Sequence, residues 1–186
     1  LYENLFSDAS FPHALLVLDG ELAAEIQSRG CPHCGAALHV ANYPRKPRGG
    51  PWALGSAQSF RHGLCCSREG CRRRTAPPSV RFLGRRVYLA AMVILGTALQ
   101  HGLPPKRLAR LQAMLGVDRR TLRRWRRWWM EQFPKTSAFE ALRAAMVPPP
   151  AQPLLPLSLL ERFTAATAAE RVRALLRWLA CPENAR

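Results

Sequence analysis

Two cysteine half-sites do most to limit how this chain can fold. Cys31-Pro32-His33-Cys34-Gly35 sets two thiols three residues apart with a glycine behind them, and Cys65-Cys66-Ser67-Arg68-Glu69-Gly70-Cys71 supplies the other half. Thiolates at i and i+3 can grip one tetrahedral ion while glycine lets the backbone turn around it. Cys66 and Cys71 form the tighter second pair, so the expected ligands are Cys31, Cys34, Cys66 and Cys71 around Zn2+. Cys65 with Cys71 is the alternative pairing; otherwise Cys65 acts as a small buried hydrophobe. His33, His39 and His62 are lesser substitutes, and Cys181 is too distant to take part. Four protein ligands close the coordination sphere and leave no position for water, which favours a structural ion over a catalytic one. The spacing lacks the H-x-E…P-C-x-x-C order of a zinc deaminase, and the twelve acidic residues show no motif-like pairing, so no enzyme is expected.

A second segment constrains function more than fold. Asp118-Arg119-Arg120-Thr121-Leu122-Arg123-Arg124-Trp125-Arg126-Arg127-Trp128-Trp129 reads as an amphipathic helix from about Arg119 to Phe133, ending before Pro134. Leu122, Trp125, Trp129 and Phe133 share one face, and Arg120, Arg123, Arg124 and Arg127 gather on the other. Trp128 sits at the margin, where edge packing is favoured over nucleic-acid stacking. Asp118 suits the N-cap. Two arginines in the first turn oppose the positive end of the helix dipole, an arrangement that makes sense if the tip faces a polyanion. Arginine is also a good helix former, and 25 of the 28 basic residues are Arg, so a merely solvated face is the bland alternative.

Charge supports the sharper reading. The formal net charge is +16, which favours nucleic acid or another anionic surface as partner. Residues 1–30 carry five acids against one base, whereas 31–84 carry nine bases against one acid and 85–133 eleven against two. The middle of the chain is therefore the polyanion-binding part. The opening residues lack a basic stretch followed by an apolar run, and the longest apolar run, Val87 to Leu99, is too short to span a bilayer. A soluble, cytoplasmic, nucleoid-associated protein with no membrane partner is expected.

Along the chain, residues 1–30 form an acidic leader in which Leu15 to Leu18 makes a short strand or helical turn and Asp19 caps a helix from Gly20 to Arg29. Residues 31–84 alternate and turn, as strands do, around a basic loop from Tyr43 to Pro51. Arg85 to Gln100 is apolar nearly all round, hence a central core helix. Pro104-Pro105 opens the next helix, with Leu108, Leu111 and Leu115 at helical spacing, and Gly116-Val117 turns the chain. A helix from Ser137 to Val147 meets a stiff, extended proline-rich linker, 148–156. A last amphipathic helix runs from about Ala168 to Ala180, with Val172, Leu175, Leu176 and Leu179 on one side.

The half-knuckle Cys31-Pro32-His33-Cys34-Gly35, the later Cys66 and Cys71, and the phrase Gly116-Val117-Asp118-Arg119-Arg120-Thr121-Leu122-Arg123-Arg124-Trp125 resemble the N-terminal modules of bacterial insertion-sequence transposases and their accessory proteins. The phrase is similar to a helix-turn-helix in which Gly-Val-Ser precedes Thr-Leu and a Trp. The resemblance covers residues 31–133 and lacks any acidic catalytic domain, so it implies transposon-end or operator recognition and not strand transfer. Taken with the reading along the chain, the expected fold is α+β, mainly α: a zinc-ribbon module over 31–84, a three-helix helix-turn-helix domain over 85–147, and a C-terminal helical segment over 157–186.

The expected mechanism divides labour on double-stranded DNA. Arg119, Arg120, Arg123 and Arg124 reach base edges in the major groove, where arginine suits the paired acceptors of guanine. Arg127, the loop residues Arg45, Lys46 and Arg48, and Arg72, Arg73 and Arg74 hold phosphates and set register. Because one helix-turn-helix reads only a few base pairs, a homodimer is compatible, as is a transposase or other protein partner. Two rivals remain: RNA or single-strand binding with Trp52, Tyr43 and Phe60 as stacking platforms, and a protein adaptor using the leucines at 154, 155, 157, 159 and 160. For the adaptor, a last helix folded back on the core is favoured over a free tail.

Overall fold

The computed structural model describes residues 2–180 apart from 46, 49, 51, 53, 83–87, 102 and 103. The fold is mixed α+β and mainly helical, with small sheets. Its centre is helix α2, Ala90–Ala98, in which every residue is buried. A nine-residue helix without a polar face cannot persist in water, so the rest of the chain assembles around it. The core takes Phe11 and Leu15 from α1 (Ser10–Ser28), Leu111 and Leu115 from α3 (Pro105–Leu115), and Leu122 and Trp125 from α4 (Arg119–Arg127). Phe139 and Leu142 join from α5 (Ser137–Ala145), Leu159 and Leu160 from α6 (Leu157–Leu160), and Leu175 and Leu176 from α7 (Ala168–Ala180).

Among the described residues, five short strands lie between α1 and α2. β1 (Leu38–Val40), β4 (Leu64–Cys66) and β5 (Arg74–Thr75) form an antiparallel sheet in the order β1-β4-β5, with Leu38 opposite Cys66 and His39 opposite Cys65. β2 (Tyr43–Pro44) and β3 (Phe60–Arg61) form a second antiparallel pair. A small apolar cluster of Cys31, Leu38, Leu64 and Cys66 sits beneath the first sheet.

Several expectations are corrected. Leu15 to Leu18 is neither a strand nor a separate turn, and Asp19 is not a cap: one helix runs through both. Asp8 starts it by accepting from the Ser10 amide at 2.9 Å, and Pro12 lies in the first turn, where its missing N–H costs nothing. Asp19 is buried and accepts from Arg81 Nε at 2.7 Å, Ser79 Oγ at 2.7 Å and the Val80 amide at 2.6 Å. Arg81 is equally buried; it also donates to the Phe60 carbonyl at 2.9 Å and lies between the rings of Phe60 and Phe82.

Helix α2 starts at Ala90 rather than Arg85, because Tyr88 and Leu89 are drawn into single β-bridges with Arg48 and Phe82; residues 85–87 lie outside the described ones. The arginine helix is not α-helical to Phe133. It passes at Trp128–Gln132 into a π turn, closed by the Phe133 amide on the Trp128 carbonyl. Pro134 cannot donate, and its ring would press on the Met130 carbonyl in a regular α-helix. The wider turn relieves this and leaves that carbonyl to Gln152 Nε2, at 3.5 Å. The 148–156 stretch does not run extended: Gln152–Leu154 makes a 3-10 turn and Leu155 is fully buried. Helix α5 stops at Ala145, two residues early, where Met146 turns extended before the Val147-Pro148 bond.

Candidate metal centre and basic helix

The two half-sites fold as matched turns. Cys31 and Cys34 lie on the loop between α1 and β1, where the Cys31 amide donates to Ala36 O at 2.8 Å and the Gly35 amide to Cys31 O at 2.8 Å. Gly35 follows the second cysteine with φ of 71°, the left-handed region that a side chain disfavours. The other turn closes between β4 and β5, with the Cys71 amide on Arg68 O at 3.0 Å and the Cys66 amide on Arg73 O at 3.0 Å. Arg72 occupies the place that Gly35 fills in the first turn, and its φ is also positive, 43°.

Together these turns bring the sulfurs of Cys31, Cys34, Cys66 and Cys71 within 4.8 Å of one another, a group that can hold a metal ion. Cys34 Sγ is 3.4 Å from Cys66 Sγ, and Cys31 Sγ is 3.9 Å from Cys71 Sγ. A tetrahedron with metal–sulfur bonds of about 2.3 Å has sulfurs about 3.8 Å apart, so the spacing fits a single ion. Amides of the first turn, led by that of His33, lower the Cys31 thiol to about 7. Burial pushes the Cys66 thiol up, to about 12.

Cys65 is excluded from this group by the alternation of β4. Its Sγ points to the other face, toward the Arg72 carbonyl at 3.6 Å. His33 is not a ligand either. Its Nδ1 lies 3.1 Å from Arg73 Nη1, and since arginine can only donate, His33 accepts and ties the two turns together. His39 and His62 stand outside the group as well.

The basic helix has the two faces that its periodicity predicts. Asp118 accepts from the Thr121 amide at 2.7 Å, and that hydrogen bond holds its carboxyl below the usual carboxylate range. Thr121, Leu122, Trp125 and Trp129 are buried, while Arg119, Arg120, Arg123, Arg124, Arg126 and Arg127 are all exposed. Trp125 packs edge-on against Tyr88 at 5.1 Å and close over Gly96 of α2. Trp128 is half-buried and packs against the rings of Trp129 and Phe133, which is the edge packing expected of it. The turn between α3 and α4 is made by Gly116, left-handed at φ of 58°, and by the buried Val117.

The remaining sequence-predicted contacts separate. Arg72, Arg73 and Arg74 are exposed beside the metal centre, and Arg48 is exposed on its loop. Arg45 is half-buried, with its guanidinium 5.8 Å from the Phe82 ring centre, which places it as a prop for the loop. Lys46 lies outside the described residues. Trp52 is no stacking platform: it is buried among Phe6 and Phe11, and its Nε1 donates to Leu5 O at 3.0 Å. Leu155, Leu159 and Leu160 are spent in the core, which leaves Leu154 as the exposed member of the leucine-rich stretch. Among the described residues, no helix is long and apolar enough to cross a membrane. The Asp19–Arg81 pair escaped sequence reasoning because nothing local joins residues so far apart.

Comparison of the chain with protein-family models, with curated proteins and with solved structures finds no match.

Proposed function

We infer that the chain is a double-stranded DNA-binding protein, with a structural zinc ion on Cys31, Cys34, Cys66 and Cys71 and helix α4 as the element that enters the major groove. The single observation that carries this reading is the division of α4: six exposed arginines, two of them in the first turn, backed by a buried Leu122 and Trp125 that fix the helix on α2. Exposed arginine on a rigid helix presents paired donors to guanine at about 1–3 kcal/mol of discrimination for each good bidentate contact. The left-handed Gly116 and the N-cap Asp118 supply the tight turn that a helix-turn-helix needs. Zinc is favoured over other ions by an all-thiolate donor set with tetrahedral spacing. With four ligands and no open position, its role is to staple the two turns together.

In this reading Arg119, Arg120, Arg123 and Arg124 read bases, and Arg127 with Arg72, Arg73 and Arg74 grips phosphates. From the sequence resemblance to insertion-sequence proteins, the target we propose is a transposon end or an operator, with a transposase or a second copy of the chain as protein partner. The test is selection of the zinc-loaded protein on a random duplex library at near-physiological salt. A converged motif is expected. With about six phosphates neutralised, log K against log salt should fall with a slope near −5. Arg123→Ala should relax the motif, whereas Arg73→Ala should weaken all duplexes alike. A library that binds without converging overturns base reading by α4, and preference for structured RNA at matched salt overturns the duplex assignment.

A further inference from the structure

No Lys, Arg, Asp or Glu occurs between Arg143 and Glu161, although the chain carries 28 basic and 12 acidic residues. The stretch is not hidden in the core. Val147 is 95% exposed and Leu154 44%, and Ala145, Pro148, Pro149 and Pro153 are exposed with them. Neither zinc nor duplex DNA has a use for an uncharged apolar strap, so the function proposed above leaves it unexplained.

The strap is also held in shape. Pro150, Leu155 and Pro156 are buried, and Ser158 Oγ donates to the Ala151 carbonyl at 2.8 Å. Gln152 Nε2 donates to the Met130 carbonyl at 3.5 Å, which lays the strap against the π turn that ends the arginine helix. The prolines at 148, 149, 150 and 153 restrict the backbone further. An apolar surface fixed in this way loses little conformational freedom when something covers it.

Charge decides what can cover it. Two copies of a chain with net charge +16 repel each other over most of their surfaces. The strap is where one copy can meet another without bringing cations together or stripping water from an ion. It is also its own complement, since an apolar surface suits the same surface across a two-fold axis, as an isologous contact requires. A partner attracted by charge would be acidic and would settle on the arginine faces instead.

We propose that residues 144–154 form the homodimer contact of this protein, a two-fold in which the strap of one copy covers the strap of the other. Its consequence for DNA rests on the duplex reading of α4 given above. With the strap against the end of α4, the two reading helices meet at their C-terminal ends and point Arg119 and Arg120 apart. The bound motif is then an inverted repeat.

The test is sedimentation of the zinc-loaded full chain over a concentration series, at about 0.1 M and about 0.5 M salt. Dimers should form and should tighten with salt, because screening weakens the repulsion between copies and spares the apolar contact. Duplex binding moves the other way. Val147→Asp should raise the dimer dissociation constant at least about tenfold, because like charges then face each other, with zinc content and circular dichroism unchanged. Val147→Lys should do the same alone, and a mixture of the two variants should recover the dimer. Selection with Val147→Asp should return one half of the repeat. A chain that stays monomeric at both salts overturns the second copy as occupant and leaves the strap to a different partner. A dimer that Val147→Asp and Leu154→Asp both leave intact places the contact elsewhere and overturns the strap. A motif without symmetry, bound by the wild-type dimer, overturns the two-fold arrangement. Failure of the selection to converge overturns base reading by α4, while sedimentation still decides the dimer.

Discussion

Replacing Asp19 by alanine should cost this protein a large part of its stability. The carboxylate is 1% exposed and the Arg81 guanidinium 0%, so neither charge reaches water. Removing the carboxylate leaves a cation facing the Gln58 and Phe60 carbonyls, and strips the Ser79 hydroxyl and Val80 amide of their acceptor. Breaking one side of a buried pair costs about 3–5 kcal/mol, against about 5–15 kcal/mol for the whole of a typical domain. In a chain of this size each kcal/mol is worth about 2–4 °C, so the melting temperature should fall by about 6–20 °C. The assay is urea unfolding of zinc-loaded wild type, Asp19→Ala, and the double variant Asp19→Leu/Arg81→Met. The double variant should recover most of the loss, because two apolar side chains of similar volume need neither water nor partner. A single-variant loss below about 1 kcal/mol, or a double variant no more stable than Asp19→Ala, would refute the view that an uncompensated charge sets the cost.

Two further outcomes can be checked with simple spectroscopy. With cobalt in place of zinc, Cys66→Ser should change the thiolate charge-transfer absorption and weaken metal binding, while Cys65→Ser should leave both as in wild type; the reverse pattern would exchange the two ligands. Asp118 makes the stability of α4 depend on acid: its carboxyl is held low in the fold by the Thr121 amide, so its contribution is complete above the ordinary carboxylate value and is lost as pH falls through the lowered one. Asp118→Asn should therefore be less sensitive than wild type across that acid window, and identical acid profiles from circular dichroism would argue against it.

How much was legible in the sequence follows the range of the forces involved. The two faces of α4, its Asp118 cap and the Gly116 turn were readable because helical period and capping are local. The metal group was readable to within one cysteine. Spacing alone cannot choose between Cys65 and Cys66; the choice is made by β1, which sets Leu38 opposite Cys66 and so turns that sulfur inward. The run Leu15 to Leu18 is too short for its period to tell strand from helix, and Asp19 looked like a cap because its true partner is 62 residues away. The π turn at Trp128–Gln132 depends on Pro134 and on Gln152 from a later segment, so no window on α4 alone could show it.

The all-round burial of α2 bears on how the chain can be made and cut. Its covering residues come from both directions along the chain, Phe11 and Leu15 from before it and Leu175 and Leu176 from near the end. A nascent chain that has delivered α2 but not α7 therefore leaves open the side of this apolar helix that α7 covers. Helix α2 contacts α7 directly, as it does α3 and α4. Shortened versions that stop after α4 or α5 would keep every arginine and cysteine of the candidate sites and still expose that side, making them the species most prone to aggregate or to draw chaperones.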